Sequence, residues 1–94
     1  MNEQPRKNPL TNRYELDLEG KLAYLAYEER PNGAVVFTST FVPSELRGKN
    51  VAAILTRFAL EDVRAQGRTV VPQCSYAAAY LERNPEYADL RAAS

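Results

Sequence analysis

Ninety-four residues, 45% of them apolar and 26% charged, are enough for one small globular domain with a single core. Twelve basic residues balance twelve acidic ones, so no net field draws the chain to nucleic acid or an anionic membrane, and any phosphate binding must be local. One cysteine excludes an internal disulfide and fits a reducing cytoplasm, the lack of histidine removes the commonest base and metal ligand, no metal-binding cluster is visible, and no apolar run approaches the ~20 residues of a membrane span.

Residues 1–12, beginning MNEQPRKNPL, lack an apolar signal core and read as a flexible polar leader, with one domain over 13–94. Residues 13–19 alternate: Tyr14, Leu16 and Leu18 on one face, Arg13, Glu15, Asp17 and Glu19 on the other. That is the pattern of a half-buried or edge strand. After a turn at Gly20-Lys21, LAYLAYEE (22–29) is nearly continuous in apolar residues, which suits a strand covered on both faces. A helical period also fits it, but its length, tyrosines and bounding turns favour a strand. Pro31-Asn32-Gly33 is a turn in which proline presets φ and Asn-Gly tolerates φ > 0. AVVFTSTFV (34–42) follows as a β-branched, aromatic strand and completes a three-stranded meander.

Pro43-Ser44-Glu45 ends the meander, and from Lys49 or Asn50 the period becomes helical. Val51, Ile54, Leu55, Phe58, Ala59 and Val63 form an apolar stripe opposite Arg57, Glu61 and Arg64, and Gln66-Gly67 closes the helix. Residues 69–71 are a short buried strand stopped by Pro72, which a right-handed crossover places parallel to 34–42. Ser75–Arg83, alanine-rich with Tyr76 and Tyr80 four apart, is a second helix, and Pro85 opens a last helix-like segment over 86–92. The fold expected is mixed α/β in the order β-β-β-α-β-α, an antiparallel meander plus one parallel crossover strand with helices packed on the sheet.

The segment SELRGKN, between strand and helix, raises a specific question. Amides at a helix start have no intrahelical partners and lie at the positive end of the macrodipole. Gly48 lets a ligand approach without a Cβ in the way, Arg47 and Lys49 add positive charge, and Asn50 is the non-glycine residue best suited to a positive φ. A diphosphate fits such a turn. A solvated turn that merely begins a helix has the same residues.

FTSTFVPSELRGKNVAAIL followed by VVPQCSYAAAYLERNPEYADL resembles the minimal, short-chain branch of the GNAT N-acetyltransferases, over roughly Tyr14 to Leu90. The superfamily's pyrophosphate loop, Q/R-x-x-G-x-G/A, falls on Arg47, Gly48, Lys49, Asn50, Val51 and Ala52, with Asn50 in place of the glycine. Pro72-Gln73-Cys74 and Pro85-Glu86-Tyr87 match the branch's P-x-C and P-E-Y. The resemblance implies a minimal GNAT-like fold, acetyl-CoA or CoA as cofactor, and acetyl transfer to an amine of a small molecule or a protein. It puts the pyrophosphate on the amides of 48–52, the pantetheine arm along Phe41 and Val42, and the thioester near Cys74, where strands 34–42 and 69–71 splay apart.

Within that resemblance Cys74 is an acyl-accepting thiol at a helix N-terminus; a small buried hydrophobe and a hydrogen-bonding partner of the pantetheine are its other roles. Tyr80, with Tyr76, is a candidate proton donor to the leaving thiolate, with core packing as the alternative. The branch carries T-H-T-E-V where this chain has Thr38-Ser39-Thr40-Phe41-Val42, so a base and an acid are missing. That departure keeps open a CoA-binding module without efficient catalysis and, from another class, a small interaction domain with no cofactor. Glu28 and Glu29 read as solvated charge. No nucleic-acid or membrane partner is expected, and the edges of a small sheet are compatible with a monomer or a weak homodimer.

Overall fold

Alternating side chains in the first half of the chain build the sheet. In a computed structural model, which describes residues 4–92, β1 (Arg6–Asn8), β2 (Arg13–Leu18), β3 (Lys21–Glu29) and β4 (Ala34–Phe41) form an antiparallel meander. β5 (Thr69–Pro72) lies parallel to β4, and the spatial order of the five strands follows the chain. Helix α1 (Val51–Ala65) crosses from β4 to β5 and α2 (Ser75–Arg83) follows. Short 3-10 turns occupy Ser44–Leu46 and Pro85–Leu90, the second where a helix-like segment is expected. The mixed α/β architecture read from the sequence is present, with one strand added at its N-terminal edge.

That added strand, β1, falls inside the segment read as a leader. Its docking centres on Glu15, which is only 4% exposed. Arg6, Asn8 and Thr11 donate to the Glu15 carboxylate at 3.0, 3.3 and 3.4 Å. Three polar residues carry no strand signal of their own; their partner supplies it.

β3 also differs from its reading. Ala23, Leu25 and Tyr27 are buried, but Leu22, Tyr24 and Ala26 are only half-buried, so the helices cover one face of the sheet rather than two. On that face Tyr14, Leu25, Tyr27 and Phe37 pack with Leu55, Ala59 and Val63 of α1 and Leu81 of α2 in one core cluster. Burying side chains of this kind stabilises by about 1.5–3 kcal/mol each. The Tyr14 hydroxyl donates to Asp62 at 2.8 Å and so ties β2 to α1. The buried stripe of α1 includes Thr56 and Leu60, and the helix is rolled so that Ile54 is 41% exposed. Thr56 is satisfied locally by donating to the Ala52 carbonyl at 2.8 Å. Among the described residues no helix is long and apolar enough to cross a membrane.

An irregularity in β4 opens the sheet. Ala26 pairs with Ser39 and Tyr27 with Phe37, which leaves Thr38 as an extra residue. Such a bulge bends its strand and shifts the facing of every later residue. The ladder between β4 and β5 then stops at Phe37–Pro72. The backbone pairing ends with the Cys74 amide donating to the Phe37 carbonyl at 2.8 Å. Beyond it β4 has no strand on that side.

Candidate functional site

The chain leaves β4 through Pro43 and enters a 3-10 turn whose Leu46 is fully buried, anchoring the loop that follows. Gly48 then has φ +85° and Asn50 has φ +65°. Glycine adopts this left-handed conformation at little cost, and asparagine tolerates it better than most other residues. Asn50 makes no side-chain capping bond to α1, and the first turn of the helix carries no acidic residue. The first amides of α1 therefore remain available to an anion, at the positive end of the helix dipole.

These amides border a cavity of about 510 Å³. Val42 at the end of β4, Leu46, Arg47, Gly48, Asn50, the first turn of α1 (51–53) and Tyr76 of α2 line it. Arg47 has no carboxylate partner among the described residues. The cavity combines backbone donors and a guanidinium with the apolar side chains of Val42, Leu46 and Ala53. An elongated ligand with an anionic end and a less polar arm matches that lining.

Of the residues expected from the sequence to hold the cofactor, Val42, Arg47, Gly48, Asn50, Val51 and Ala52 meet at this cavity. Lys49 does not line it: its Nζ pairs with Glu19 of the β2–β3 turn at 3.1 Å. Phe41 does not line it either. The extra residue at Thr38 turns Phe41 to the helix-free face, where its ring lies 5.5 Å from that of Tyr24. The guanidinium of Arg13 sits 4.0 Å from the same Tyr24 ring. Sequence reasoning does not single out Leu46 or Ala53; a lone leucine in a polar turn is the signal available for the first.

Cys74, at the N-cap of α2, is half-buried and does not itself line the cavity; it stands two residues before Tyr76, which does. Its Sγ lies 3.4 Å from Thr40 Oγ1. Burial pushes the thiol's pKa up, but the Thr40 hydroxyl and the amides of Ala77 and Tyr76 outweigh burial and hold it below the ordinary value. Tyr80 stands behind Tyr76, with ring centroids 6.4 Å apart, and stacks toward Tyr87 at 6.3 Å. Burial pushes the Tyr80 hydroxyl up, so it stays protonated at neutral pH. Tyr76, the other candidate proton donor, is the tyrosine on the cavity wall. Among the described residues no group of three metal-ligating side chains comes together.

Residues 13–90 match the sequence profile of a family described as GCN5-related N-acetyl-transferase. The fold is similar to the NMR solution structure of a GCN5-like protein from Staphylococcus aureus, with a TM-score of 0.77. The two share 23% identity over 99% of this chain and 91% of the other.

Proposed function

The chain belongs to the GCN5-related N-acetyltransferase family, and from that premise we propose that it binds acetyl-CoA at the loop before α1 and transfers the acetyl group to an amine. The observation that supports this is the coupling of two left-handed residues, Gly48 and Asn50, to an uncapped helix start that opens on a cavity. The residues fit the cofactor. The amides of 51–53 and the Arg47 guanidinium hold its diphosphate, and Val42 and Leu46 flank its uncharged arm.

Acetyl-CoA supplies an acyl carbon already activated as a thioester. Cys74 accepts that carbon: a bond from Sγ to the acyl carbon forms, the bond to the CoA sulfur breaks, and the Cys74 proton passes to the CoA thiolate. The acceptor amine, in its neutral form, then displaces Cys74 from the acyl carbon, and the proton that the nitrogen loses returns to Sγ. Protons balance in both halves with no histidine or carboxylate base. The Thr40 hydroxyl and the first amides of α2 stabilise the thiolate in each half.

Titration with acetyl-CoA, followed by amide NMR, tests the binding. Saturable shifts are expected over 47–53, and their absence at millimolar ligand refutes the cofactor. A CoA-binding module without turnover is the second reading, favoured by Ser39 and Phe41 where the short branch carries histidine and glutamate. Turnover of acetyl-CoA no faster than buffer, across a broad panel of amines, would establish that reading instead.

A further inference from the structure

A second cavity, of about 260 Å³, lies on the helix-free face of the sheet. Alternation along β4 puts Val35 and Phe37 in the core cluster and turns Ala34 and Val36 to the opposite side. Val71 pairs with Val36, so Ala34 and Val71 give this cavity an apolar floor, together with Pro72. Its polar lining is Arg30, Asn32 and Arg91. Among the described residues no carboxylate lines it; Glu28 projects from the same face one strand further over.

These polar groups stand on fixed backbone. Arg30 and Ala34 close the turn through the Arg30 amide and the Ala34 carbonyl at 2.9 Å. The Asn32 Oδ1 accepts from the Ala34 amide at 3.0 Å, which leaves the Asn32 NH₂ as its remaining donor. Arg91 bridges to Val70, and the next amide, of Ala92, donates to the Val70 carbonyl at 2.8 Å. Among the described residues neither guanidinium has a side-chain partner, whereas Arg6, Arg64 and Arg68 all meet carboxylates. Two free guanidiniums and an amide over an apolar floor suit a carboxylate or phosphate carried on a carbon chain.

The cavity reaches Pro72, the residue at which the β4–β5 ladder ends, so it approaches the opening in the sheet from the side opposite α1. From Ala34 to Phe37, β4 advances about 10 Å. We infer that this cavity anchors the acceptor: an amine whose own anionic group, carboxylate or phosphate, lies no more than about 10 Å from the nitrogen that is acetylated. Its assignment to the acceptor rests on the acetyl transfer proposed above; the anion site stands on the cavity alone.

Amide NMR titrations with ε-aminohexanoate, hexylamine and inorganic phosphate test it, in the wild type and in the double variant Arg30→Ala/Arg91→Ala. Saturable shifts at Arg30, Asn32, Val71 and Ala92 are expected with ε-aminohexanoate and not with hexylamine. The double variant should bind ε-aminohexanoate at least about tenfold more weakly. Equal responses to the two amines, no response to any probe, unchanged affinity in the variant, or saturation by phosphate alone would each overturn the acceptor site. A missing acetyl-CoA response over 47–53 is read at different residues, so failure of the cofactor and failure of the anion site are distinguishable.

Discussion

Asn50 separates the folding of the helix start from its use as an anion site. Its φ of +65° and ψ of 24° are left-handed, and its side chain makes no capping bond to α1. Replacing it therefore removes no hydrogen bond to the helix, and the effect on stability is a backbone effect. A residue with a Cβ and no special tolerance of this region costs about 1–2 kcal/mol there. In a domain of this size about 1 kcal/mol lowers the melting midpoint by roughly 4–8 °C. Serine is the discriminating substitution, because it caps helices as well as asparagine does in ordinary N-cap geometry. Asn50→Ser should lower the midpoint by at least about 4 °C, while Asn50→Gly stays close to wild type. Asn50→Asp keeps the tolerance of a left-handed φ and adds a charge favoured by the helix dipole, so the fold should be as stable as wild type or slightly more so. That same charge opposes a bound diphosphate. At contact distance of about 4 Å the repulsion is about 1 kcal/mol in water and about 4 kcal/mol at an effective dielectric of 20. CoA affinity should then fall by at least about fivefold in a protein that has lost no stability. Thermal denaturation with and without CoA, beside calorimetric titration, reads both quantities. A serine variant as stable as wild type would refute the left-handed role, and an aspartate variant with unchanged CoA affinity would refute the anion site.

Arg47→Glu should weaken CoA binding by at least about tenfold without changing the melting midpoint, since Arg47 has no carboxylate partner to lose among the described residues. Thr40→Val removes a bond that lowers the Cys74 pKa, so the pH profile of Cys74 alkylation should move to higher pH in this variant. Brief incubation with acetyl-CoA should leave a hydroxylamine-labile acetyl mass on the wild type and none on Cys74→Ser. An unlabelled wild type at every time point rules out the covalent route. Asp62 is raised by burial, but the bonds from Tyr14, Lys7 and Gln66 outweigh that and hold its carboxyl below the ordinary 3.8. A depressed folded pKa contributes stability above the ordinary value and loses it as pH falls through the folded one. Tyr14→Phe removes one of those bonds, so it should cost about 1 kcal/mol at neutral pH and flatten the fall in stability below pH 3.8, read by urea titrations across that range.

Much of this architecture is legible one element at a time. Residues 13–18 alternate because one face meets α1, and Ser75–Arg83 reads as a helix from its alanines and is one. The loop is legible for a related reason: Gly48 and Asn50 advertise a positive φ in their own chemistry, and both adopt it. What escapes such reading is set by partners distant in sequence. β1 depends on the Glu15 carboxylate, Lys49 is drawn from the cavity by Glu19, and the roll of α1 that exposes Ile54 answers to the sheet beneath it. The bulge at Thr38 has no local mark, since Thr-Ser-Thr continues a β-branched strand without a glycine.

That unmarked residue distributes the chemistry between the two faces. Phe37 and Thr40 pair with the core residues Tyr27 and Leu25, so both face the helices although three positions separate them. In a regular strand Ser39 and Phe41 would share the face of Phe37, and Thr40 would point the other way. The bulge instead brings Thr40 to 3.4 Å from the Cys74 thiol and turns Ser39 and Phe41 outward beside Ala26 and Tyr24. Positions 39 and 41 are where the short branch places its histidine and glutamate, so their loss here leaves that outer face without a titratable group at either position. The Thr40–Cys74 contact on the helix side is untouched by that loss. An acetyl transfer that stores its proton on sulfur needs only the helix-side pair. It asks of the outer face only that it hold the acceptor, which an aromatic surface at Tyr24 and Phe41 is equipped to do together with Arg30 of the β3–β4 turn and Arg91 beside β5, neither with a carboxylate partner among the described residues.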